Sequence, residues 1–200
     1  MYLKLSAPKN TGEALGTLIR TMLIECSESV KPIGFYLEGC SSFVPSNTVI
    51  DTIHLAQKLN DLTFECDESI NFPTVLTVQF VGELRSSDLI SDGFNVLEDV
   101  PLVNCIDNSS SLEFKLVLNK TSGSSSIDTN RGILKSLNTG KSFKALQCRS
   151  NEIRVSFKVQ HGFNSDIITF NIKSKTDPTP NVKKCLQELS KILENVEVTS

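Results

Sequence analysis

No window of this chain holds the roughly 18 to 20 consecutive apolar residues that a bilayer-crossing helix requires. The opening Met1-Tyr2-Leu3-Lys4-Leu5 lacks the apolar run of a secretory signal, so no membrane partner is expected. Positive charge is not in excess, because 20 Lys and Arg stand against 23 Asp and Glu for a formal net charge of -3. Such a chain has no global attraction for DNA, RNA or acidic lipid, which argues against a stand-alone nucleic-acid binder. If it works beside nucleic acid, most of the phosphate neutralisation is expected from other chains.

Residues that carry chemistry are also sparse. The two histidines, His54 and His161, have no second His, Cys or carboxylate at metal-ligand spacing, so no metal site is expected. The six cysteines (Cys26, Cys40, Cys66, Cys105, Cys148 and Cys185) form no C-x-x-C pair. A chain of 200 residues buries a core without covalent staples, so free thiols in a reducing compartment are expected rather than a disulfide framework. Gly140-Lys141-Ser142 resembles the end of a phosphate-binding loop, but Lys135 stands where that pattern demands glycine. There is no G-x-S-x-G elbow. Glu98 and Asp99 are adjacent carboxylates, and strand neighbours point to opposite faces. The triplets beginning at Asn108 and Asn119 match the glycosylation pattern, which carries no weight without a secretory signal. No catalytic residue and no cofactor are expected in the chain itself.

What is present is periodicity near both ends. With 39% apolar and 22% charged residues, the composition is that of an ordinary globular protein. A short strand is predicted from Tyr2 to Pro8, followed by a helix start at Asn10-Thr11-Gly12-Glu13, with Asn10 as cap and Glu13 as its capping-box partner. Leu15, Leu18, Ile19, Met22 and Leu23 then share one helical face. In the middle, strands are predicted over 33–38, 75–81 and 112–118, and a short helix over 51–62. The polar tract 121–142 reads as a mobile surface loop. Strands over 153–159 and 167–172 flank the turn-like Gly162-Phe163-Asn164-Ser165. Thr179-Pro180 predicts a helix start, with Thr179 as the capping residue. Behind it Val182, Cys185, Leu186, Leu189, Ile192, Leu193 and Val196 form a continuous apolar stripe.

The expected fold is therefore α+β. Residues 1–29 and 149–200 build one domain of helices on a small antiparallel sheet, and 30–148 form an inserted strand-rich domain. A surplus of apolar stripe points to an oligomer interface, although periodicity alone leaves open that both stripes pack inside one monomer.

These segments also resemble a known family. Gly12-Glu13-Ala14-Leu15-Gly16-Thr17-Leu18-Ile19-Arg20-Thr21-Met22-Leu23 looks like a diverged first helix of the RNA polymerase alpha subunit, which in bacteria and plastids reads T-L-G-N-A-L-R-R followed by aliphatics. Gly34-Phe35-Tyr36-Leu37-Glu38-Gly39 is similar to the family's strand with an acidic-Gly ending. Residues 51–62 resemble its D-x-x-x-I-x-x-N-L-K helix, and Val159-Gln160-His161-Gly162 its V-x-Q-R turn. Residues 166–172 resemble the strand after that turn, and Thr179-Pro180 the opening of the helix that ends the family's N-terminal domain. The likeness spans about residues 3–196 and rests on several weak motifs in the correct order.

The resemblance implies a non-catalytic assembly subunit of a DNA-directed RNA polymerase. It would form a homodimer and recruit the large beta and beta-prime type subunits, which hold the active site. The implied seam residues are Leu15, Leu18, Ile19, Met22, Leu186, Leu189, Ile192 and Leu193. Arg20 matches the first of the family's paired arginines, a position associated with large-subunit contact, whereas Thr21 replaces the second. Ser42-Phe43-Val44 and Thr48-Val49-Ile50-Asp51 depart from the family's H-E-aromatic and G-V-x-E-D segments. The family's DNA-binding C-terminal domain is not expected after Ser200, so no direct DNA binding is implied. The implied setting is a plastid (chloroplast) genome, or alternatively the bacterial cytoplasm. Other readings are the heterodimerising archaeal or nuclear counterpart, and a strand-rich binding module unrelated to transcription and held by disulfides. Thiol titration separates the last of these: denaturation without reductant should expose six reactive thiols, and fewer would support the disulfide-held module.

Overall fold

A computed structural model describes residues 1–40, 51–67, 69–106, 110–149, 153–175 and 177–194, with the side chains of Arg149 and of residues 192–194 excepted. The elements in chain order are β1 (Tyr2–Pro8), α1 (Gly12–Glu25), β2 (Glu28–Leu37), α2 (Thr52–Asp61), β3 (Phe64–Cys66), β4 (Thr74–Phe80), β5 (Glu83–Arg85) and β6 (Phe94–Val96). They continue with β7 (Pro101–Asn104), β8 (Leu112–Ser122), β9 (Ser124–Ser125), α3 (Ile127–Ser136), β10 (Lys144–Ala145), β11 (Cys148–Arg149), β12 (Ile153–His161), β13 (Ser165–Ser174) and α4 (Thr179–Glu194). The fold is mixed α+β with antiparallel sheets. It divides into two compact units, residues 1–28 with 150–200, and residues 29–149.

The first unit carries a sheet in the order β1-β13-β12. The β12–β13 hairpin closes on Gly162, whose amide donates to the Ser165 carbonyl at 3.0 Å. An added Cβ at Gly162 would lie 2.5 Å from that same oxygen, so the turn admits no side chain there. Alternation then sorts the residues by face. Ile168, Phe170, Ile172, Ile153 and Val155 point inward and are buried with Ile19, Leu23, Val182, Cys185 and Leu189 in one core.

The second unit is built on a sheet in the order β4-β8-β2-β3-β6, with β10 also paired to β2. The predicted strand over 33–38 begins earlier, at Glu28, and runs through Pro32. Proline cannot donate to a ladder. Here β3 pairs at Val30 and β10 at Gly34 and Phe35, so Pro32 falls where the partner changes. Along one side Phe35, Leu37, Leu55, Leu59, Phe114 and Leu116 share a core. In a separate cluster Ile33 and Val117 meet Leu134 and Cys148. Lys31 is buried and donates to the Leu62 carbonyl at 3.0 Å, which satisfies a charge that would otherwise be costly to bury.

The mobile loop predicted over 121–142 is corrected by this structure. β8 extends to Ser122, β9 follows, and α3 occupies 127–136. Ser126 caps α3 by accepting the Thr129 amide at 3.2 Å. Asn130 is fully buried, donating to the Leu146 carbonyl at 2.7 Å and accepting from Ser125 Oγ at 2.6 Å. Polar residues here satisfy backbone and one another, while Leu134, with Ile133 and Leu137 beside it, docks the helix. Replacing Asn130 by Ala should lower stability by about 1–3 kcal/mol, read as a shift in the denaturant midpoint with an unchanged slope.

Candidate dimer interface

The two helices expected to build a seam, α1 and α4, lie in the first unit and touch one another. α1 is set on the sheet by its glycines. A Cβ at Gly16 would stand 2.4 Å from the Phe157 ring, and one at Gly12 would stand 2.6 Å from Val159 Cγ1. The helix therefore approaches closer than any side chain would allow, and Gly12, Gly16, Ile19 and Leu23 form its buried face.

The helix start differs from expectation. Asn10 takes a left-handed conformation with φ 66° and is not the cap. Thr11 occupies the cap position but makes no side-chain cap bond. The free amide of Gly12 instead donates to Asp166 Oδ2, on β13, at 3.0 Å. Asp166 is fully buried, and its second oxygen meets His161 Nδ1 at 3.0 Å. The Gly12 amide holds the carboxyl below the usual aspartate range against the opposing pull of burial, with the His161 ring and the Asn10 amide adding to it. The residue was legible in part: Asp166 shares the inward parity of Ile168, Phe170 and Ile172, where a carboxylate must find a partner.

α4 also opens differently. Asp177, rather than Thr179, supplies the acceptor, receiving the Thr179 amide at 3.0 Å and its hydroxyl at 2.7 Å. One turn on, Asn181 accepts the Glu28 amide at 3.2 Å, and Lys184 pairs with the Glu28 carboxylate. Val182, Cys185 and Leu189 face the core. Burial, helped by nearby Cys26, pushes the Cys185 thiol up to about 11, which makes it a poor nucleophile at neutral pH.

The apolar residues expected at the seam thus have different surroundings. Ile19 and Leu189 are core residues, 4% and 8% exposed, and the unit's own sheet and helices cover them. Each belongs to the buried cluster between the helices and the sheet, so neither is exposed in the single chain. Leu15, Met22 and Leu186 are partly buried at the margin of the same core. Leu18 is 45% exposed, and its spacing from Leu15 and Met22 places the three on one stripe of α1. Arg20 and Thr21 are exposed. The side chains of Ile192 and Leu193 lie outside the described residues, as do the divergent segments at 42–44 and 48–50.

Groups considered for chemistry have ordinary partners. His54 Nδ1 meets Asp51 Oδ2 at 2.9 Å, at the capped start of α2. Lys141 pairs with Glu113 at 3.2 Å and lies over the Tyr36 ring. Glu98 accepts from the Thr63 amide and hydroxyl, and Asp99 from Arg85. None of the six cysteines is in a disulfide. Among the described residues no group of three His, Cys, Asp or Glu could hold a metal ion. No protein-family model matches the chain, and no curated protein matches it either.

The lowered folded-state acidity of Asp166 sets a pH dependence. Its stabilising contribution is complete above the unfolded aspartate value, about 3.9, and is lost as pH falls through the lower folded value. Asp166→Asn should flatten the loss of stability below about pH 4, measured as unfolding midpoints across pH 2–6. It should also lower the midpoint at neutral pH, because the Gly12 amide loses its charged acceptor.

Proposed function

We propose that the chain is a non-catalytic, alpha-type assembly subunit of a DNA-directed RNA polymerase, which pairs with a second copy through α1 and α4 and then receives the large catalytic subunits. The observation that carries this reading is the exposure of Leu18 on α1, beside Leu15 and Met22 at the margin of the core. Gly12, Gly16, Ile19 and Leu23 are spent on the unit's own sheet, yet Leu18 remains 45% exposed, with Leu15 and Met22 on its stripe. A helix docks in its own domain through one apolar face, and an exposed leucine at the edge of that face is what a partner would cover. The ordered resemblance of both terminal segments to the alpha family supplies the identity of the assembly. In that reading, Arg20 is exposed where it could meet a large subunit, and active-site chemistry belongs to the large subunits. A plastid or bacterial setting follows from the same resemblance.

Leu18 is the discriminating position. Leu18→Glu should change the monomer's unfolding free energy by no more than about 0.5 kcal/mol, as for an exposed site. It should also weaken self-association by about 3 kcal/mol or more, because pairing would bury a lone charge. Sedimentation equilibrium of the full chain reads the second effect, and chemical denaturation the first. Leu189→Glu, by contrast, should unfold the first unit. A wild-type chain that stays monomeric at high concentration and fails to co-purify with a large polymerase subunit would overturn the proposal.

A further inference from the structure

The sheet of the first unit has a second face, and its chemistry is one-sided. Residues of outward parity are Tyr2, Lys4 and Ser6 on β1, Ile167, Thr169, Asn171 and Lys173 on β13, and Arg154, Ser156, Lys158 and Gln160 on β12. All are exposed except Thr169 and Asn171, which are partly so. The three strands contain one carboxylate, Asp166, and it points inward to the α1 amide. The face therefore presents Lys4, Arg154, Lys158 and Lys173 with no acidic residue of its own strands among them. Elsewhere in the unit Lys184 pairs with Glu28, and Lys191 with Glu188. None of the sheet-face cations has an ion pair among the described residues.

Register makes the arrangement costly in isolation. Arg154 stands directly opposite Lys173, and like charges in that position destabilise a sheet. Lys4 and Lys158 flank Thr169 in the next cationic row, about 10 Å apart at the usual strand spacing. Between the rows lies Tyr2, 73% exposed and opposite Asn171. An anion laid across the strands would relieve the Arg154–Lys173 repulsion and use cations that have no ion pair among the described residues. Hydroxyl and amide donors stand beside them in Ser6, Ser156, Gln160, Thr169 and Asn171.

The geometry points to a docking surface for a single-stranded nucleic acid on the outer face of the β1-β13-β12 sheet. The strand's phosphates would lie on Lys4, Lys158, Arg154 and Lys173, and a base would stack on the Tyr2 ring. Charge complementarity carries the choice of a polyanion. The exposed aromatic within the cationic field favours a nucleic acid over an acidic peptide, because stacking on an aromatic is open to every base. An extended acidic peptide would be expected to add along a free sheet edge rather than lie over the face. The chain's net charge of -3 does not oppose this, since the carboxylates of the unit's helices, Glu13, Glu25 and Glu188, lie off this face. The inference is independent of pairing through α1 and α4.

The test is fluorescence anisotropy of a labelled mixed-sequence RNA oligonucleotide, with a DNA copy in parallel, titrated with the full chain at several salt concentrations. Binding of either should weaken with salt at a logarithmic slope of about -3, as for four phosphates on a single strand. The double variant Arg154→Gln/Lys158→Gln should bind at least tenfold more weakly with about half that slope. Its unfolding midpoint should not fall, because a like-charge pair has been removed. Lys135→Glu, on α3 of the other unit, should bind as the wild type. If the double variant does not fold, Lys4→Gln/Lys173→Gln on the neighbouring strands carries the same expectation. Wild-type chain that shows no salt-dependent binding, or a folded double variant that binds undiminished, overturns the proposal. So does a poly-glutamate peptide that displaces the oligonucleotide at lower concentration, which would assign the face to an acidic protein.

Discussion

The first unit depends on one buried bond, from the Gly12 amide to the Asp166 carboxylate. A helix start carries unsatisfied amides and a partial positive charge, and a carboxylate with no solvent exposure carries the opposite need. Each removes the other's penalty. The bond also joins residues 154 positions apart, so it ties one end of the chain to the other. β1 does the same through its ladder with β13, from Tyr2 opposite Asn171 to Pro8 opposite Ser165.

Once that start is held, the glycines decide which way α1 faces. Gly12 and Gly16 let the helix backbone descend onto Val159 and Phe157, which turns Ile19 and Leu23 into the core and leaves Leu18 outside. The apolar stripe of α1 was legible in its periodicity, but which of its residues the unit covers, leaving Leu18 exposed, was not. Periodicity weighs side chains and gives glycine no weight, whereas in the folded unit the glycines mark the closest contact. The same limit applies to α4, whose stripe contains Leu189 in the core. In the proposed assembly, α1 thus serves two surfaces, one within its own unit and one toward a second copy.

Faces of the sheet divide by a different rule. Strand alternation sends Ile168, Phe170 and Ile172 inward and leaves Lys173, with Arg154 and Lys158 of β12, outward. Each strand's outward polarity could be read from its own residues. That three strands would combine into one cationic face depended on β1 pairing with β13, a contact between opposite ends of the chain that no local pattern encodes.

By itself the sequence determined the mixed α+β class, both terminal helices, a short helix within 51–62, and the β12–β13 hairpin. Each is written in spacing within a few residues, where the helical and strand repeats act. Tertiary structure alone decided what satisfies each orphan group and which face of each element is covered. Asp166 rather than Asn10 receives the amide of α1, Asn130 anchors a helix inside a tract that composition marks as loop, and Pro32 sits in a central strand because its neighbour changes there. The reason is common to all of them: a polar group or a proline is tolerated according to its partner, and the partner stands far away in the chain.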